Sequence, residues 1–209
     1  MRIDGPEAFA KAFDVSRETM VRLETFAGLL TRWTRRINLV SPGSLPELWH
    51  RHIADSAQLA ALAPHEARIW LDLGSGGGLP GLVIAALRPG SAVTLVESDQ
   101  RKAAFLRSAA FEMGVSVTVL ARRIEDLPPG TPDVLSARAL APLPRLFPLV
   151  ARCAGPETVL LLPKGGRAES ELTAASADWH TDVEVIPSRT DRDGVILRIR
   201  NLRPRHVEP

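Results

Sequence analysis

The stretch from Trp70 to Gly81, WLDLGSGGGLPG, constrains the fold more than any other part of the chain. A short apolar run ends in an acid, Asp72, and meets a glycine cluster at once: Gly74, Gly76, Gly77 and Gly78. Pro80 then opens a helical stretch. A short apolar run bounded by glycines reads as a buried strand. A glycine turn between strand and helix lets backbone N–H groups approach a ligand with no Cβ in the way. An acid just ahead of the glycines suits a cationic ligand and would repel a dinucleotide pyrophosphate.

The rest of the chain fits an open sheet around that turn. Up to Pro64 the pattern is helical. Ser16 reads as an N-cap, and Leu23, Phe26, Leu30, Trp33 and Ile37 mark one face of a helix from about Arg17 to Arg36. A second helix is expected from about Pro46 to Ala63, carrying Arg51, His52, Asp55 and Ser56. Beyond Pro64, strand-like runs alternate with helical stretches. The strands are expected at Ile69–Leu73, Ala92–Glu97, Ser116–Leu120, Asp133–Ala137, Thr158–Leu162, Val183–Ile186 and Val195–Arg200. The helices between them are expected at Pro80–Leu87, Gln100–Met113, Leu143–Cys153 and Glu169–Ala177. Such alternation predicts an α/β fold with a mostly parallel sheet covered on both faces. The last two strands are separated only by Pro187–Gly194, which predicts a hairpin and an antiparallel C-terminal strand. The division expected is a helical cap over 1–64 and a ligand-binding domain over 65–209, packed as one unit, with a frayed tail from Pro204 to Pro209.

Composition narrows the class. The chain has 209 residues and a net charge of +2, and its single cysteine, Cys153, rules out an internal disulfide framework. Met1 to Ala10 contains no apolar signal core, and no apolar run reaches the ~18 residues of a membrane span. The expected location is therefore the cytoplasm. Between Arg17 and Arg51 six arginines face three glutamates, a local excess suited to phosphate contact.

In an open α/β sheet, ligands sit beyond the carboxyl ends of the strands. The first strand ends in Asp72 and the glycines. The second ends in Glu97, about where an acid can hold the ribose hydroxyls of a nucleoside. Arg123, Ile124 and Glu125 follow the third strand, where an adenine would lie, and Ser136, Ala137 and Arg138 close the fourth. Gly76, Gly78 and Gly81 also match a dinucleotide fingerprint, so an NAD-linked oxidoreductase has to be weighed. Asp72 and the final hairpin favour S-adenosylmethionine (SAM), and no motif places a proton-transfer residue for hydride chemistry.

Several further segments make the likeness specific. They are Arg36-Ile37-Asn38-Leu39, Arg51-His52-Ile53-Ala54-Asp55-Ser56, the stretch Leu71 to Gly81 ending in Gly-Leu-Pro-Gly, Arg123-Ile124-Glu125, Ser136-Ala137-Arg138-Ala139 and Leu162-Pro163-Lys164-Gly165. With these the chain resembles, over nearly its whole length, the RsmG (GidB) family of bacterial 16S ribosomal RNA guanine-N7 methyltransferases. The resemblance implies a class I SAM-dependent methyltransferase fold, Rossmann-like, with an N-terminal helical cap. It implies SAM contacts at Gly74, Leu79, Ile124, Glu125 and Arg138; Asp72, Gly76, Gly78 and Glu97 join them from the strand-end reading. Two positions depart from the pattern: Gly77, where relatives often carry proline, and Glu97, where many carry aspartate.

The absent motifs agree. Guanine N7 presents a free lone pair, so no general base is required. An amine methyltransferase would show an (Asn/Asp)-Pro-Pro-(Tyr/Phe) stretch after the fourth strand; the chain has Ser136 to Pro142 there and no tyrosine. Cys153 is away from any strand end and reads as a buried bystander. No metal-ligand spacing is present. Arg138 is the candidate working residue, able to orient a carboxylate or meet the guanine O6 edge. Arg35, Arg36, Arg51, His52 and Lys164 are the candidate RNA contacts, with Trp49 a candidate for base stacking and Trp33 assigned to the core. The expected partner is 16S rRNA or a small-subunit precursor, met by a monomer. The alternatives are a class I methyltransferase of a small molecule or protein, and a non-catalytic RNA-binding protein that keeps the fold.

Overall fold

Seven strands build one sheet in the computed structural model, which describes residues 2–205. They are β1 (Ile69–Leu73), β2 (Ala92–Val96), β3 (Val117–Leu120), β4 (Val134–Ala137), β5 (Val159–Lys164), β6 (Trp179–Pro187) and β7 (Val195–Pro204). Their order is β3-β2-β1-β4-β5-β7-β6. The first five pair in parallel, and β7 is antiparallel to both β5 and β6. This is the mostly parallel sheet with an antiparallel C-terminal strand that the alternation predicts. Strand order reverses between β1 and β4, so the crevice for a ligand opens beyond their carboxyl ends.

The helices are α1 (Pro6–Phe13), α2 (Arg17–Thr34), α3 (Asp55–Leu62), α4 (Gly81–Leu87), α5 (Gln100–Met113), α6 (Leu143–Ala151) and α7 (Ala168–Ala175). Ser16 caps α2 as expected, its hydroxyl accepting from Thr19 N at 3.2 Å. Leu23, Phe26 and Leu30 are fully buried on one stripe, and half-buried Trp33 meets Phe105 of α5 with ring centroids 5.5 Å apart. Asp99 caps α5 through Arg101 N and Lys102 N, and Gly114 ends it in the left-handed conformation.

Two apolar clusters flank the sheet. One takes α1 to α5 together with Trp70, Val93 and Leu95, so its side chains come from both sides of Pro64. The other packs α6 and α7 over Leu73, Leu135, Leu160 and Leu197, with Cys153 buried inside it as expected.

Four expectations are corrected. Within the expected helical region Pro6–Phe13 adds a further helix, which Phe9 seats against Trp49 at 5.5 Å. That contact makes Trp49 a packing residue rather than a stacking platform. The second helix is composite: a 3-10 stretch at Pro42–Glu47 and a π-helical turn at Trp49–Ala54 precede α3. β6 and β7 are longer than the apolar runs suggest, because most of β6 is exposed and needs no apolar alternation. Pro204 pairs with Trp179, and Arg205 N donates to Asp178 O at 2.7 Å, so the chain is held there; the rest of the expected frayed tail, 206–209, lies outside the described residues.

Candidate active site

The glycine turn is held from two sides. Gly74, Gly76 and Gly78 all have positive φ, the region in which only glycine is unstrained. Ser75 N donates to Val96 O at 2.9 Å, and Gly76 N donates to Glu97 Oε2 at 2.8 Å. Glu97 Oε1 accepts from Asp99 N at 2.8 Å. Each carboxylate oxygen has a second lone pair, so Glu97 can still accept from a ligand.

Beyond this turn lies a cleft of 470 Å3, a size suited to a small cofactor. Gly74, Gly76, Leu79 and Glu97 line it on the β1 and β2 side. Ile124 and Glu125 line it after β3, and Arg138 after β4. Seven of the expected cofactor residues therefore meet in one place. The cleft joins a glycine floor without side chains, an acid at the β2 end and apolar walls at Leu79, Ile124 and Leu149, a lining that fits a nucleoside with a charged tail. Leu39 and Leu140 complete the walls, and the sequence reading placed neither in the site.

Asp72 and Gly78 do not line the cleft. Side chains alternate along a strand, so Asp72 shares the face of Trp70, beneath the start of α4. It is fully enclosed, accepting from Ser136 Oγ at 2.6 Å and Gly81 N at 3.2 Å, while Trp70 Nε1 donates to Ser136 Oγ at 2.9 Å. Burial pushes its carboxyl up to about 6, against the pull of Ser136, Ser75, Gly81 and Arg138. The expected direct contact with a cationic tail is thus corrected: Asp72 holds the turn and α4 together from behind. Gly78 has a packing reason as well, since a Cβ there would lie 2.5 Å from Leu82 Cδ1 and 3.2 Å from Leu106 Cδ2.

Arg138 stands where three cavities meet: the cleft, a 730 Å3 cavity and a 600 Å3 cavity. Its guanidinium donates to Asp55 Oδ2 at 3.3 Å and faces His52 Nδ1 at 3.4 Å. Ser44 Oγ gives its one hydrogen to Ser41 O at 2.6 Å, so it accepts from His52 Nε2 at 2.7 Å. That leaves the Nδ1 lone pair for Arg138. Burial, then Arg138 and Arg51, push the imidazole down to about 4, and it is neutral at pH 7. The π-helical turn and α3 thus set the pose of the arginine that closes β4.

The expected RNA contacts are dispersed. Arg51 is exposed, with Glu47 3.6 Å away, and borders the larger cavity with His52. Arg35 and Arg36 are exposed past the end of α2, just before cleft-lining Leu39. Lys164 is a correction: its Nζ donates to Ala141 O at 2.8 Å and Glu171 Oε2 at 2.9 Å, and its side chain is only 10% exposed. A register that sets α7 over the end of β5 spends this charge inside the protein.

Comparison with known proteins decides the family. The sequence pattern of GidB, rRNA small subunit methyltransferase G, matches residues 19–193. The chain belongs to the rRNA small subunit methyltransferase G family. Ribosomal RNA small subunit methyltransferase G of Parvibaculum lavamentivorans is 53% identical over 201 residues, covering 94% of this chain and 89% of that one. The Jannaschia sp. protein of the same name is 54% identical over 190 residues, covering 89% and 90%. Among solved structures, mitomycin 7-O-methyltransferase MmcR superposes with a TM-score of 0.61 at 16% identity, covering 95% of this chain and 72% of that one. A mutant of MtNAS in complex with S-adenosylmethionine gives 0.58 at 19% identity, covering 94% and 84%. These two share the class I methyltransferase fold with this member of the family.

Proposed function

We propose that this protein transfers a methyl group from SAM to N7 of one guanine in 16S ribosomal RNA. The observation that carries the reading is that the family match, 19–193, spans every element that builds the cleft and Arg138. SAM, when bound, supplies a methyl on a sulfonium, an electrophile that needs only a lone pair in line behind it.

The chain's residues then have positioning tasks, which can supply most of the acceleration. Gly74 and Gly76 offer a surface without side chains to the methionine portion. Glu97 takes the ribose hydroxyls, and Leu79 and Ile124 enclose the adenine, with Glu125 at its edge. Arg138 orients either the carboxylate of the cofactor or the guanine O6 edge, and both suit a guanidinium fork. N7 of guanine needs no deprotonation. This agrees with His52, whose free lone pair points at Arg138 rather than into the cleft. Arg35, Arg36 and Arg51 contact the RNA in this reading, and His52, with both ring nitrogens engaged by Ser44 and Arg138, acts there through Arg138.

The substrate is 16S rRNA, free or in a small-subunit precursor, and the protein acts as a cytoplasmic monomer with residues 1–64 as a cap over the catalytic domain. No helix among the described residues is long and apolar enough to cross a membrane. Filter binding of labelled methyl groups tests the reading. Transfer to deproteinised 16S rRNA or small subunits, and none to small acceptors or protein, is expected. Transfer to a small acceptor alone would overturn it.

A further inference from the structure

The 730 Å3 cavity beyond Arg138 belongs neither to the cofactor cleft nor to the residues named so far as a set. Arginines reach it from separate parts of the chain: Arg2, Arg51, Arg138, and Arg189 and Arg192 of the β6–β7 loop. Their partners differ. Glu47 takes Arg2 at 3.0 Å and Arg51 at 3.6 Å, and Asp55 takes Arg138. Among the described residues, Arg189 and Arg192 have no carboxylate partner and are exposed. The guanidinium of Arg189 lies over the Phe13 ring, 5.1 Å from its centroid, which leaves its N–H edge free.

The loop that carries this pair is pinned. Gln58, 3% exposed, accepts from Arg189 N at 2.7 Å and donates to the hydroxyls of Ser188 at 3.3 Å and Thr190 at 3.1 Å. Thr190 Oγ1 donates to Asp55 Oδ1 at 2.8 Å, so the carboxylate that holds Arg138 also holds the loop. Because β6 runs with the parallel strands, this loop emerges on the carboxyl edge, beside the cleft. The same loop carries Asp191 and Asp193, neither paired with Arg189 or Arg192, and a preorganised loop loses little entropy when its free guanidinium groups meet an anion.

We propose that this cavity seats the RNA backbone next to the target guanine, with Arg189 and Arg192 as contacts to successive phosphodiesters. The inference rests on the rRNA reading above and deepens it. A base buried in the cleft must be splayed out of its stack, which brings its flanking phosphates across the cleft mouth. Arg138 borders both spaces, so a base entering past it leaves its backbone on the Arg189 side.

The test uses the full chain with SAM present and deproteinised 16S rRNA over a potassium chloride series. Each phosphate contact to single-stranded RNA contributes roughly 0.7 to the slope of log affinity against log salt. Arg189→Ala with Arg192→Ala should flatten the slope by about 1.4 and weaken low-salt binding roughly tenfold, while SAM affinity by calorimetry stays at the wild-type value. Arg192→Ala alone removes no intramolecular hydrogen bond among the described residues, so it guards against misfolding and should flatten the slope by about 0.7. Wild-type affinity and slope in both variants would overturn the assignment and leave the rRNA reading standing. A wild-type protein that binds neither deproteinised 16S rRNA nor small subunits would overturn both.

Discussion

His52 presents Nδ1 to both terminal nitrogens of Arg138, each 3.4 Å away, and Asp55 meets the same guanidinium at 3.3 Å. A neutral acceptor and an anion thus hold one arginine at the mouth of the cleft. A protonated imidazole would repel it.

The pH dependence of His52 follows from that geometry. Its folded value, about 4, lies below the usual 6.5. The unfolded chain therefore binds the extra proton first, and the contribution of His52 to stability is present above pH 6.5 and lost as pH falls through 4. An NMR titration of the ring C–H resonances should give a midpoint near 4. A midpoint near 6.5 would mean that the ring does not face Arg138 as described.

Asp72 runs the other way. Its folded value, about 6, lies above the usual 3.8, so the folded protein holds the proton more tightly. Stability from this group is full below pH 3.8 and falls by about 3 kcal/mol as pH rises through 6. Urea denaturation across pH 4 to 6 should show the decline in wild type relative to Asp72→Asn. Parallel curves for the two proteins would contradict the enclosure of this carboxyl.

Gly78 and Glu97 separate stability from cofactor affinity. Gly78→Ala forces a Cβ toward Leu82 at positive φ and should cost about 3 kcal/mol of unfolding free energy. Glu97→Ala should lower SAM affinity roughly 10- to 100-fold, the worth of hydrogen bonds to a charged group, while rRNA binding changes less. Equal SAM affinity in Glu97→Ala, measured by calorimetry, would remove it from the site.

The arginines after α2 and the lysine after β5 should behave differently. Arg35→Ala with Arg36→Ala should weaken rRNA binding and flatten its salt dependence by about 1.4. Lys164→Ala should leave the salt slope unchanged and cost about 2 kcal/mol of stability, because its ammonium is bonded to Glu171. A flattened slope in the Lys164 variant would show that the lysine leaves Glu171 to reach RNA.

The contrast between those residues shows what was legible in the sequence. The sheet could be read because buried parallel strands are short apolar runs between glycines and amphipathic helices, and β1 and α5 fall where the pattern puts them. The cleft could be read because chain order fixes which residues follow each strand, as with Glu97, Ile124 and Arg138. Pairings across elements could not. That Lys164 meets Glu171 depends on how α7 docks, and nothing in the local sequence states it. Trp49–Ala54 winds as a π turn that meets Phe9 through Trp49 and Ile3 N through His50, contacts from distant sequence that its own residues do not state. The enclosure of Asp72 was legible in principle, since alternation places it with Trp70 on the α4 face. The pinned loop from Ser188 to Arg192 was also within reach: an antiparallel last strand sends the β6–β7 turn to the carboxyl edge, where its two arginines border the site.

Mapping of 7-methylguanine in 16S rRNA from a strain lacking this protein tests the central claim most directly. Loss of the modification at one guanine, restored by the wild-type chain but not by Arg138→Ala, is the predicted result. A modification pattern that is the same with and without the protein would contradict it.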